Sequence, residues 1–231
     1  MLFGENYIYQ CPGFTNKIYR ESLMSGNTFD AEYYSDGKRI APMLPDFPQI
    51  TKCDHCKTTF WIKEEENIGT FDFDSFLDPN VKWEKMQEVR FLTIPEYFEA
   101  LNMKDKQSTA EERTIRLNIW WAFNDRIRNK RDKEDQHNIR ALFQSDAEKK
   151  LWEENAYCLE EMLDYKNYND RIMIADLNRN AEKFDRCMEI ILTIEEQGYP
   201  WMKELFDVHC KEKNPFVFRF KFSEVEGSEN N

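Results

Sequence analysis

Long apolar runs are missing from this sequence. No stretch approaches the roughly 20 residues that cross a bilayer as a helix, so neither a membrane span nor a membrane partner is expected. The first residues, Met1-Leu2-Phe3-Gly4-Glu5, lack the basic patch and following apolar segment of a secretory signal. The expected location is therefore cytoplasmic. There the six cysteines (Cys11, Cys53, Cys56, Cys158, Cys187 and Cys210) are not expected to build a disulfide framework. An excess of cationic residues is missing too. Lys and Arg number 32 against 44 Asp and Glu, a net charge of -12, and phosphate-backbone binding needs clustered positive charge. Nucleic acid is thus not an expected partner. The sequence contains no nucleophile elbow, P-loop, dinucleotide fingerprint or H-E-x-x-H. Its many carboxylates are not paired by any motif, which removes the grounds for proposing an enzyme without excluding one.

One further absence is local. Cys53-Asp54-His55-Cys56 is an intact C-x-x-C knuckle, and Cys11-Pro12-Gly13-Phe14 resembles a second, with Phe14 where its other cysteine would stand. Structural zinc takes four tetrahedral Cys or His ligands, and two facing knuckles supply them. Here Cys11, Cys53 and Cys56 are three candidate ligands. His55 lies inside the intact knuckle, and His137 and His209 have no recruiting spacing. Two readings follow. The chain has kept the fold and lost the ion, with Phe14 packed in its place, or three thiolates hold zinc with a water or a distant group. We favour the first, so no cofactor is expected and zinc is the alternative. A thioredoxin-like redox role needs the C-x-x-C to open a helix. Thr58-Thr59-Phe60-Trp61-Ile62 is β-prone instead, which argues against it.

Aromatic residues are plentiful, at 15% of a chain that is 41% hydrophobic, enough for a packed core. Residues 1–63 read as strands and loops, with turn signals at Ser25-Gly26-Asn27 and Asp36-Gly37 and an irregular segment carrying Pro42, Pro45 and Pro48. Residues 64–80 read as an acidic connector, in which Phe71, Phe73 and Phe76 imply partial docking onto a neighbouring surface. From residue 81 the pattern is helical. Capping boxes are expected at Thr93-Ile94-Pro95-Glu96, Thr109-Ala110-Glu111-Glu112 and Ser145-Asp146-Ala147-Glu148. Ile115, Ile119, Phe123 and Ile127 mark one apolar helix face, and Ala147, Leu151, Asn155, Leu159 and Met162 or Leu163 another. Further helices are expected near 171–179 and 182–196. Gly198 then acts as a stop, and Pro200 opens a last helix to about Cys210. Trp120 and Trp121 diverge by about 100° on a helix, placing one ring in the core and the other at its edge. The run Arg126, Arg128, Lys130, Arg131 and Lys133 is interleaved with acids and reads as a solvated helix end. Phe216-Val217-Phe218-Arg219-Phe220-Lys221-Phe222 alternates at period two, a strand with four phenylalanines on one face. Residues 223–231 read as a disordered tail.

Two resemblances emerge. Residues 171–194 resemble a tetratricopeptide repeat through Leu177, Ala181, Phe184 and Cys187, with Ala181 for the usual Gly and Cys187 for the usual Ala. One unit is present where a solenoid needs about three. As a whole, Cys11-Pro12, Met24-Ser25-Gly26-Asn27-Thr28-Phe29, Ser35-Asp36-Gly37-Lys38-Arg39 and the Cys53–Cys56 knuckle resemble uncharacterised bacterial proteins. Those proteins join a zinc-ribbon-like segment to a helical region. They carry two full knuckles, and no activity follows from the resemblance. The expected fold is α+β: a small zinc-ribbon-like β module (1–63), the connector (64–80), an antiparallel helical domain of tetratricopeptide-like hairpins ending in a β-strand (81–222), and the tail. The expected function is a protein-interaction or scaffold role for an unidentified protein partner, with Trp120, Trp121, Phe216, Phe218, Phe220 and Phe222 offering the contact surface. The alternative is a zinc-dependent enzyme or zinc-sensing regulator using an open site of Cys11, Cys53 and Cys56.

Overall fold

A computed structural model describes residues 1–72, 86–103, 108–128, 142–194 and 200–220. Phe73 and Phe76 of the connector, Lys130, Arg131 and Lys133 of the basic run, His137, the Gly198 stop, Phe222 and the 223–231 tail lie outside the described residues. The architecture is α+β, with small, mostly antiparallel sheets followed by helices. No helix among the described residues is long and apolar enough to cross a membrane.

The chain forms two compact units. Residues 1–31 and 40–115 make the first, and residues 32–39 and 116–231 the second. In the first unit, β1 (Leu2–Phe3) pairs with β4 (Leu23–Ser25). A four-stranded sheet is built on the hairpin of β2 (Asn6–Gln10) and β3 (Lys17–Arg20). Its outer strands are β9 (Gly69–Phe71), antiparallel to β2, and β10 (Gln87–Glu88), parallel to β3. The connector thus docks through β9, with Phe71 opposite Asn6 and buried. β10 falls where the pattern reads as helical. Two residues carry no periodicity, and this strand is fixed by distant partners: the Val89 amide donates to the Tyr19 carbonyl at 2.8 Å, and the Gln87 side-chain amide donates to the Lys52 carbonyl at 2.8 Å. A further hairpin, β7 (Ile50–Lys52) and β8 (Thr59–Trp61), supplies Phe60 to a core shared with Tyr9, Ile18, Ile62 and Val89.

Helix α1 (Ile94–Leu101) closes this unit. Its capping acid Glu96 accepts from the Thr93 amide at 2.9 Å and from both terminal nitrogens of Arg90. That fork holds the Glu96 carboxyl far below its ordinary range, at about 2. The boundary between the units falls within α2 (Thr109–Arg128), after Ile115. Its cap is Ser108, one residue before the expected Thr109: the Glu111 amide donates to Ser108 Oγ and the Ser108 amide to Glu111.

The second unit holds the rest of α2, then α3 (Asp146–Met162), α4 (Tyr168–Asn180), α5 (Phe184–Leu192) and α6 (Pro200–Lys211). In α2, Ile119, Phe123 and Ile127 are buried as their spacing implies. In α3 the buried face is Trp152, Asn155, Ala156 and Leu159, while Leu151 is exposed. The two faces differ by one residue in the first turns because the indole at 152 buries more apolar surface than Leu151 would. α4 and α5 pack closely across a three-residue connection, in which Glu182 takes a left-handed φ of 61°. Residues 32–39 reach this unit as the hairpin of β5 (Glu32–Tyr33) and β6 (Arg39–Ile40), turned by Gly37 at φ 75°. The phenylalanine segment runs beside that hairpin and meets it through one bridge, Tyr34 with Arg219, rather than as a regular strand.

Candidate metal centre

Both knuckles are hairpin tips of the first unit. The turn 11–16 joins β2 to β3 and carries Cys11. The turn 53–58 joins β7 to β8 and carries Cys53 and Cys56. Local hydrogen bonds close each tip. The Cys11 amide donates to the Asn16 carbonyl at 2.9 Å and the Phe14 amide to the Cys11 carbonyl at 3.3 Å. In the second tip the Cys53 amide donates to the Thr58 carbonyl at 2.9 Å and the Lys57 amide to the Cys53 carbonyl at 2.8 Å. Lys57 takes a left-handed φ of 61° to complete that turn. Because each hairpin contributes apolar residues to one core, the tips converge, and Cys11 and Cys53 become part of that core.

The three sulfurs lie within 4.8 Å of one another, with 3.3 Å between Cys11 and Cys56. A tetrahedral zinc with bonds of about 2.3 Å separates its sulfur ligands by about 3.8 Å, a value inside this spread. The thiols are free, and thiolates are the soft donors zinc prefers. The residues therefore fit the ion. The second tip also favours ionised sulfur. Cys56 Sγ and Thr58 Oγ1 form a hydrogen bond of 3.2 Å. That bond, joined by the Thr58 amide, draws the Cys56 thiol down to about 7. Burial, with the bond to Cys56 second, pushes Cys11 up to about 11. Hydrogen bonding thus favours ionisation at Cys56, and burial opposes it at Cys11. A cation placed between them would favour the ionised form of both, since metal binding displaces thiol protons.

Phe14 does not occupy the centre. It is 54% exposed, and its ring lies 5.0 Å from that of His55 at an interplanar angle of 45°. The residue behind it explains why. A Cβ on Gly13 would stand 2.1 Å from Thr58 Oγ1 and 3.1 Å from Cys56 Sγ. The two tips touch there without room for a side chain, and the larger group at position 14 is carried to the outside. Among the described residues no His, Asp, Glu or fourth Cys joins the three sulfurs.

The aromatic residues expected to form a contact surface mostly pack inside the second unit. Trp120 is fully buried and donates its indole N–H to Asn180 Oδ1 at 2.8 Å. Trp121 is half-buried and donates to the Asp36 carbonyl at 3.0 Å. Phe216 and Phe218 are buried and Phe220 half-buried. Phe218 stacks on His209 at 4.0 Å and packs edge-on against Phe206, and Phe220 packs against Trp201. Helix α6 thus covers Phe218 and Phe220 in cis.

A second polar cluster had no counterpart among the expected sites. Asp36, at the tip of the β5–β6 hairpin, is wholly buried. It pairs with Arg128 and accepts from Asn124 Nδ2 at 2.9 Å. Arg179, also fully buried, donates to Asp176, to the carbonyls of Asn214 (2.6 Å) and Phe216 (2.7 Å), and to Ser35 Oγ (3.2 Å). Burial raises the Asp176 carboxyl against the opposing pull of Arg179. The only sequence signal was the i,i+3 pairing of opposite charges on α4, a spacing usually seen on solvated helix faces. With every Arg179 nitrogen engaged, this cluster is a fastening between hairpin, helix and C-terminal segment.

Comparison with protein-family models, with curated proteins and with solved structures gave no match.

Proposed function

We propose that this chain is a zinc-binding protein whose ion, held by Cys11, Cys53 and Cys56, fastens the two hairpin tips of the first unit. The observation that carries this reading is the convergence of three free thiols, from tips 42 residues apart in sequence at the nearer pair (11 and 53), onto a site within 4.8 Å. Zinc supplies the cross-link when bound. The chain supplies the soft donors, the turns that aim them and the Thr58 bonds that favour ionised Cys56. A structural site of this kind contributes about 10–16 kcal/mol to folding in small zinc peptides. Metal analysis of protein purified without added zinc tests it. About one equivalent per chain is expected, falling away in Cys53→Ser. Less than about one-tenth equivalent in the wild type overturns it, since such sites bind tightly.

A second reading, a protein-interaction role, keeps support from a different place. Leu2, Phe3 and Met24 on the β1–β4 ribbon are 55%, 53% and 73% exposed, and exposed apolar clusters mark contact surfaces. If the ribbon is such a surface, Phe3→Ser with Met24→Ser abolishes recovery of a protein partner that the wild type retains.

A further inference from the structure

The sulfurs that suit an ion also suit each other. Resting on the zinc reading above, we propose that this site is a reversible thiol–disulfide switch: a small-molecule disulfide modifies Cys56, Cys11 closes on it, and the cross-link expels the ion.

Three observations select the pair. Cys56 Sγ lies 3.3 Å from Cys11 Sγ, so a disulfide bond of about 2.05 Å needs an approach of only about 1.2 Å. The Cys56 sulfur also faces the first turn, since a Cβ on Gly13 would stand 3.1 Å from it. Cys56 is half-buried, whereas Cys11 and Cys53 are each 1% exposed. A reagent from solvent therefore meets Cys56 first, with Cys11 directly behind it. This exchange is not of the thioredoxin type, because the partner of Cys56 lies on the other tip rather than within its own C-x-x-C.

The Cys56 thiolate attacks one sulfur of the small disulfide, forming a mixed disulfide and releasing one small thiolate. Cys11 then attacks the Cys56 sulfur. The Cys11–Cys56 bond forms and the second small thiolate leaves, taking up any proton that Cys11 carried. The two protein sulfurs give up two electrons, the small disulfide gains them, and zinc keeps its charge throughout. Metal ligation needs thiolates, so Cys53 alone remains a donor where a structural site uses four. The ion leaves, the cross-link holds the two tips in its place, and a thiol reductant reopens it.

The test uses the full chain, zinc-loaded and zinc-stripped, incubated with oxidised glutathione. Remaining thiols are blocked with iodoacetamide, and peptides from digestion without reductant are mapped by mass spectrometry. A chromogenic chelator counts the zinc released. Both forms are expected to yield a cross-link between the peptides carrying Cys11 and Cys56. The loaded form is expected to lose one ion per cross-link, and dithiothreitol with added zinc to restore the starting state. Cys53→Ser, which the zinc reading leaves without metal, is expected to give the same cross-link. A dominant Cys53–Cys56 cross-link, a glutathione adduct that persists on wild-type Cys56, or three thiols still open to iodoacetamide overturns the proposal. So does a loaded chain that keeps its zinc while the stripped chain cross-links. A chain purified without zinc that still joins Cys11 to Cys56 keeps the thiol pair and refutes the zinc reading. A zinc-bound chain whose stripped form ignores the oxidant does the reverse.

Discussion

At the scale of single residues, one residue sets the character of each unit. Gly13 lets one hairpin tip press against the other, and Arg179 ties three segments of the second unit to one guanidinium. Arg179 is buried with Asp176, and its Cζ also sits 4.7 Å over the Phe218 ring. Removing one partner of a buried ion pair strands the other charge, at a cost of about 3–5 kcal/mol. Arg179→Met is therefore expected to destabilise the second unit by about that amount. Asp176→Leu combined with Arg179→Met should cost less than the single change, because no charge is stranded. Urea denaturation followed by far-UV circular dichroism measures both, and a single variant within about 1 kcal/mol of wild type would refute the fastening role. The cysteines could be read from sequence because C-x-x-C is a local spacing with one dominant chemistry. Arg179 could not, since charged residues are almost always solvated and its partners at Ser35 and Phe216 are remote in sequence. Phe14 was misplaced for a related reason. Nothing local shows that Gly13 is locked against Thr58.

At the scale of elements, local signals came within a residue, as with the α2 cap at Ser108 instead of Thr109, and non-local ones failed. The caps of α1 and α3 stand where the capping motif put them, because a cap is decided within four residues. On α3 the Glu148 amide donates to Ser145 Oγ at 3.2 Å, and the Glu148 carboxylate also takes a fork from Arg126. β10 was missed because only β3 makes it a strand. The 216–222 alternation identified an apolar face correctly in Phe216 and Phe218. It could not show that the rings would be covered by α6 while the backbone met the β5–β6 hairpin. That docking has a pH signature. His209 of α6 lies stacked on Phe218 and bonded to Asn214. Burial first, and then the charge of Arg179, draw it from 6.5 down to about 4. A histidine depressed on folding contributes stability that is fully present above its unfolded value and lost as pH falls through its folded one. The second unit should therefore weaken between pH 6.5 and about 4. His209→Phe, which keeps the stack without a titrating group, should flatten that part of the curve. Urea midpoints of wild type and variant across this range provide the check, and parallel curves would exclude His209 as the cause.

At the scale of the whole molecule, the second unit is discontinuous in sequence. Residues 32–39 belong with 116–231, although they lie in the part of the chain that reads as a β module. The reason is polar rather than apolar. The hairpin brings Asp36 to Arg128 and Asn124, Ser35 to Arg179 and the Phe218 amide, and Lys38 to Asp125 at 2.6 Å. A boundary drawn by strand or helix content cannot reveal such an exchange, because it rests on the individual partners of buried charges. A fragment of residues 64–231 retains every helix of the second unit but loses Ser35, Asp36 and Lys38. Arg128 and Arg179 then lose buried acceptors, and the edge beside Phe218 and Phe220 loses its backbone partners at Ser35 and Tyr33. Each uncompensated buried polar group costs about 1–3 kcal/mol, and a domain holds only about 5–15 kcal/mol in reserve. The fragment is therefore expected to be helical but without a sharp thermal transition. The full chain carrying Asp36→Asn, which keeps the hairpin and loses one charge, should fall between fragment and wild type. Thermal melts monitored by far-UV circular dichroism give this ordering, and a fragment that melts as cooperatively as the full chain would show that the hairpin is dispensable to the helices.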